Sequence, residues 1–85
     1  MPLNEPTLEK IRELLSSTFE LTEDETAPDK ALFSSGRLDS FNLIELLGKL
    51  ETEFGVKVGS GEVSLENLDT AQRMTDFLIL KKKST

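Results

Sequence analysis

The 85-residue chain contains neither cysteine nor histidine. Without cysteine there is no disulfide staple and no protein thiol. Hydrolases and transferases commonly draw their base or nucleophile from histidine or cysteine, and a zinc site built on those ligands is excluded. An enzyme working with carboxylates alone needs a cleft, which so small a chain hardly provides. No catalytic residue and no metal ligand is therefore assigned. The cluster Glu23-Asp24-Glu25 lacks the alternating ligands and the turn glycine of a calcium loop and reads as solvated surface. Long hydrophobic runs are also missing: no segment approaches the roughly 18 apolar residues of a membrane span. Charges interrupt Met1 to Phe19 throughout, unlike a signal peptide. A cytoplasmic location without membrane attachment is expected.

Basic charge is scarce. Ten Lys and Arg face 16 Asp and Glu, for a net charge of −6. Such a body repels nucleic acid and anionic membranes and suits basic protein surfaces. Lys81-Lys82-Lys83 offset part of the excess. They are expected to complement the end of a helix, with Lys81 to Thr85 a frayed tail.

Helical periodicity dominates what is present. Leu8, Ile11, Leu15 and Phe19 form one face of a first helix from about Glu5 to Phe19, with Leu14 beside them and Asn4 as its cap. Thr22 to Asp39 is a long polar connection, pinned by Ala31, Leu32, Phe33 and Leu38. A second helix runs from Ser40 to Phe54 and stops at Gly55. Its stripe is Phe41, Ile44, Leu47 and Leu50, flanked by Leu43, Leu46 and Phe54. Val56 to Val58 is an extended loop with buried valines, and Ser64 to Leu68 a short helical turn. Asp69 or Thr70 caps a last helix to about Leu80, with Ala71, Met74, Phe77 and Leu78 inward. These elements predict one all-α domain over residues 1–85, a small four-helix bundle with three long helices, one short helix and a long loop after the first. Phe19, Phe54 and Phe77 are expected near one core.

The serine that draws attention is Ser40, in Gly36-Arg37-Leu38-Asp39-Ser40-Phe41. It stands where a helix begins, and there outward-pointing amides and the helix dipole favour an anion such as a phosphate ester. Ser34 and Ser35 are weaker candidates, because no helix starts at either. Read blandly, Ser40 is a helix N-cap, and the chain is a helical adaptor whose second helix docks in a partner groove.

The segments Leu38-Asp39-Ser40-Phe41, Ile44-Glu45-Leu46 and Leu50-Glu51-Thr52-Glu53-Phe54-Gly55 resemble the acyl carrier protein family, as does Leu68-Asp69-Thr70-Ala71 leading to Asp76-Phe77-Leu78. The resemblance spans about Leu8 to Leu80. It implies a non-catalytic carrier, a monomer, bearing 4′-phosphopantetheine on Ser40. Coenzyme A donates the group through a phosphopantetheinyl transferase, and its thiol holds acyl or aminoacyl groups as thioesters. Partners implied are that transferase, an acyl- or aminoacyl-loading ligase and downstream transfer enzymes. Asp39, Phe41 and Glu45 are the expected partner contacts, with Glu51 and Glu53 adding negative charge. Asn42 replaces an acid common in fatty-acid carriers, and Lys49 adds a positive charge, which leans the resemblance towards a specialised stand-alone carrier rather than a fatty-acid or polyketide one.

Overall fold

The computed structural model of the chain describes residues 5–84. Helix α1 (Leu8–Phe19) begins three residues later than its periodicity suggests. Thr7 is extended, and its Oγ1 accepts the Lys10 N–H at 3.2 Å, satisfying one of the first-turn amides and fixing the start. Asn4, the expected cap, lies outside the described residues. At the other end Glu20 adopts a left-handed conformation (φ 55°), which favours glycine. The turn it makes buries Leu21, while the Ser16 hydroxyl donates to the Leu21 carbonyl at 2.9 Å.

Helix α2 (Ser40–Phe54) closes on Gly55 at φ 69°, whose N–H donates to the Glu51 carbonyl. A 3₁₀ turn at Ser60–Glu62 precedes the short α3 (Leu65–Leu68) and the long α4 (Ala71–Ser84). No strand forms among the described residues. The expected bundle of three long helices and one short one is therefore observed. Helix α1 packs against both α2 and α4, and α3 packs against α4.

The core is drawn from every element. Ile11, Leu14 and Leu15 come from α1, Leu46, Leu50 and Phe54 from α2, and Leu68, Ala71, Met74 and Leu78 from the α3–α4 end. Each large side chain contributes about 1.5–3 kcal/mol on burial. Phe54 is fully buried, and Phe19 and Phe77 pack on the same cluster as expected. The buried face of α2 differs from the expected stripe. It follows Leu46, Leu50 and Phe54, with Leu43 and Leu47 at its edges, whereas Phe41 and Ile44 are 79% and 68% exposed. The helix carries more apolar residues than one face can cover, and the surplus falls on its N-terminal turn.

Leu21, Leu32 and Leu38 sink into the core and hold the long connection, with Ala31 and Phe33 half-buried. Its other anchor is polar. Asp69, only 8% exposed, accepts the Phe33 and Ser34 N–H groups on Oδ1 at 2.8 and 2.9 Å and the Ser34 hydroxyl on Oδ2 at 2.6 Å. The Leu32 N–H donates to the Asp69 carbonyl at 2.8 Å. Capping of α4 falls instead to Thr70, whose Oγ1 accepts the Arg73 N–H at 3.0 Å.

The expected frayed tail is helical through Ser84. Lys81 Nζ pairs with Glu62 Oε1 at 2.7 Å, and Lys82 Nζ donates to the Phe54 carbonyl at 3.0 Å, so the lysines have work within the fold as well as at the helix end. Hydrogen bonding by Lys81, helped by the Gly59 N–H, lowers the Glu62 pKa. The radius of gyration, 11.7 Å, is close to the roughly 12 Å of a compact chain of this length.

Burial alone would raise the Asp69 pKa, but the bonds from Ser34 and the neighbouring amides outweigh it, and the carboxyl titrates below its ordinary value of 3.8. The folded state thus favours the charged form. The stability it adds is complete above the unfolded pKa and is lost as the pH falls through the lower folded one. Asp69→Asn should be less stable than wild type at neutral pH, and denaturant titrations should show that gap shrinking below about pH 3.8. A gap independent of pH would contradict the ionised hydrogen-bonded carboxylate.

Candidate functional site

Leu38 is buried, and its N–H donates to the Leu32 carbonyl at 2.9 Å, so the chain reaches α2 from a fixed point. The next residue, Asp39, is extended and caps the helix. Its Oδ1 accepts the Asn42 N–H at 3.0 Å, and Asn42 Oδ1 accepts the Asp39 N–H at 2.9 Å, a reciprocal box that satisfies two main-chain donors. Asn42, read from sequence as a missing acid, thus has a structural task. An Asp-x-x-Asn spacing was the available signal, weaker than the usual Ser/Thr-x-x-Glu form.

Ser40 is therefore the first helical residue and not the cap, which corrects the bland reading of its role. It is exposed, and its hydroxyl has no hydrogen-bond partner among the described residues. The amides of Ser40 and Phe41 likewise find no acceptor, leaving two donors at the positive end of the helix. Other serines are engaged. The Ser34 hydroxyl donates to Asp69, Ser35 to the Ala31 carbonyl at 2.8 Å, and Ser17 to the Leu14 carbonyl at 3.3 Å.

Around Ser40 the structure brings together Asp39, Phe41, Ile44 and Glu45, all exposed on the first turns of α2. Ile44 was missed as a surface residue because its spacing from Leu47 mimics a core stripe. Arg37 is steered away, its Nε donating to Glu25 Oε2 at 2.6 Å. Glu25 also accepts the Thr22 N–H at 2.9 Å, and this backbone bond, with Arg37, lowers its pKa. Glu51 and Glu53 lie at the far end of the same helix and are exposed. Among the described residues no group of three or more acids stands ready to hold a metal ion, and no helix is long and apolar enough to cross a membrane.

An open, unbonded hydroxyl beside free amides suits a covalently attached phosphodiester. Residues 9–78 match the family model described as "Phosphopantetheine attachment site", and the chain belongs to that family of phosphopantetheine-bearing carrier proteins. It is 35% identical over 69 residues to a D-alanyl carrier protein of Abiotrophia defectiva, covering 78% of this chain and 87% of that one. It is 30% identical over 71 residues to an acyl carrier protein of Thermosynechococcus vestitus, covering 84% and 85%. An acyl carrier protein of Rubrobacter xylanophilus is 28% identical over 75 residues, covering 88% and 90%. No solved structure matches. The cofactor of the family is covalently attached 4′-phosphopantetheine, which supplies a thiol to a chain that has none. Carriers of this family are generally non-catalytic and work with transferases, ligases and downstream enzymes.

The capping box changes what a charge substitution at Asp39 measures. Asp39→Ala should cost about 1 kcal/mol of stability by removing the cap, checked by urea unfolding. Asn42→Ala should cost less, because the Asp39 carboxylate still accepts the residue-42 amide. A neutral Asp39→Ala would mean the box contributes nothing to α2.

Proposed function

We propose that Ser40 carries the 4′-phosphopantetheine arm, and that a phosphopantetheinyl transferase installs it from coenzyme A. The observation that carries this reading is the exposed, unbonded hydroxyl on the first residue of α2, within Leu38-Asp39-Ser40-Phe41, while Ser34 and Ser35 in the adjoining loop direct theirs to internal acceptors. The transferase reaction joins the Ser40 oxygen to the phosphorus of the arm and releases adenosine 3′,5′-bisphosphate. The attached thiol then holds cargo as a thioester, which keeps the carbonyl activated for transfer. The protein contributes an address: residues 1–85 act as one carrier domain, a cytoplasmic monomer docking briefly on each partner.

Phe41 and Glu45 form that address, Phe41 by apolar contact and Glu45 by charge, with Asp39 setting the helix start between loop and docking face. The family match favours the carrier over the helical-adaptor reading, whose account of Ser40 as the cap fails because Asp39 provides it. For cargo, the similarity to a D-alanyl carrier protein and the residues Asn42 and Lys49 favour a specialised stand-alone acyl or aminoacyl carrier loaded by an adenylating ligase. Fatty-acid or polyketide synthesis is the second reading, favoured by the relatives that are acyl carrier proteins. Offering the arm-bearing protein to a D-alanine-activating ligase and to a fatty-acyl-activating ligase, with intact mass as readout, separates the two.

Wild-type protein incubated with transferase and coenzyme A should gain the mass of one arm, and Ser40→Ala should gain none while remaining folded. Full modification of Ser40→Ala would refute the attachment point.

Loading rates across a salt series test the docking face. Glu45→Lys should slow loading at low salt with melting temperature near wild type, because exposed charges add little stability yet steer encounter. The defect should narrow as salt shortens the Debye length to about 3 Å at 1 M. Phe41→Ala should stay slow at high salt, because burial of its apolar ring against a partner is not screened by ions. Charge-reversed protein as fast as wild type at low salt would reduce Glu45 to solvated surface.

A further inference from the structure

At the N-terminal end of α2, Ser40, Phe41 and Ile44 stand in solvent while Leu43 is half-buried against the core, and the middle and C-terminal turns reach the core fully through Leu46, Leu50 and Phe54. The connection from that turn to α4 runs through the preceding loop. Leu38 is tied to the Leu32 carbonyl, Leu32 is tied to the Asp69 carbonyl, and the Asp69 carboxylate grips the amides of Phe33 and Ser34 and the Ser34 hydroxyl. Between the buried Leu32 and Leu38, residues Ser34, Ser35, Gly36 and Arg37 are all exposed. Apolar burial cannot shape that stretch, so its form depends on polar bonds. Those made to an ionised carboxylate, including one of 2.6 Å, are the strong kind.

We propose that Asp69 is a positioning residue for the modification of Ser40: it holds the Phe33–Asp39 loop as a preformed platform that the transferase grips together with the first turn of α2. The inference rests on Ser40 being the attachment point. Asp69 touches neither the serine nor the arm. It acts by keeping the loop in the one conformation a partner binds, and an enzyme's apparent affinity falls in proportion to the fraction of substrate in that conformation.

The test measures steady-state modification by the transferase with intact carrier protein as the varied substrate, alongside amide hydrogen exchange. In Asp69→Asn the carboxamide still accepts main-chain donors but the charge is gone. We expect KM for the carrier to rise about tenfold with kcat within about twofold, and exchange at the Phe33 and Ser34 amides to quicken by far more than tenfold, because exchange follows the open fraction, which is small in the wild-type loop, whereas KM rises only once that fraction is large. Ser34→Ala, which removes the 2.6 Å bond and leaves the two amide bonds, should raise KM about threefold. Val56→Ala, a core variant far from the loop in sequence, should load with wild-type KM at a temperature where it is folded. Ser40-dependent loading with unchanged KM in Asp69→Asn, despite faster loop exchange, would overturn the inference alone. An equal rise in Val56→Ala would also overturn it, by showing that general destabilisation suffices. Should Asp69→Asn fail to fold, a wild-type KM in Ser34→Ala overturns the inference. Loading that survives Ser40→Ala would instead remove the attachment reading on which it stands.

Discussion

A carboxylate taken almost out of water must be met by donors or it destabilises the fold. Asp69 meets that constraint with two main-chain amides and a hydroxyl, all from a loop more than thirty positions earlier in the chain. Satisfying one charge therefore fixes a stretch that has few apolar residues of its own. The loop in turn fixes Leu38, Leu38 fixes Asp39, and Asp39 decides where α2 begins. Ser40, the proposed attachment point, is placed by this relay of ordinary bonds, with the helical core as its foundation. Lys81 and Lys82 do comparable work at the opposite end, tying the last helix to Glu62 and to the final carbonyl of α2.

Much of this was legible in the sequence. The 3.6-residue spacing of Leu8, Ile11, Leu15 and Phe19 and of Phe41, Ile44, Leu47 and Leu50 marks two helices, although the second stripe is not the face that is buried, Gly55 ends one of them, and the Asp39-Ser40 junction marks the start of α2. What could not be read were the decisions between equivalent local choices. Thr7 and Asn4 are both good caps, and Asp69 and Thr70 both suit the start of α4; only the presence of Phe33 and Ser34 nearby assigns Asp69 to the loop. Phe41 and Ile44 sit at core spacing, and periodicity has no means of telling a buried stripe from its continuation past the edge of the neighbouring helices. The C-terminal lysines likewise looked solvated because their partners, Glu62 and Phe54, are distant in the chain.

The relation between site and family follows the same physics. A chain without cysteine or histidine has no strong nucleophile to offer, and the family's prosthetic thiol makes good the deficit. The capping box leaves the Ser40 hydroxyl free by giving the capping task to its neighbour. Had Ser40 itself been the cap, its oxygen would have been engaged with a backbone amide.

On the docking face proposed above, Phe41 and Ile44, exposed at the N-terminal end of α2, supply only a modest apolar contact. Two such side chains, once covered, contribute at most about 3–6 kcal/mol. By themselves they correspond to dissociation constants from several millimolar to tens of micromolar. At an ordinary association rate near 10⁶ M⁻¹s⁻¹, complexes of that strength part at about 40 per second or faster. On the proposed reading, an apolar patch this small suits partners that stay for one transfer and then yield their place to the next.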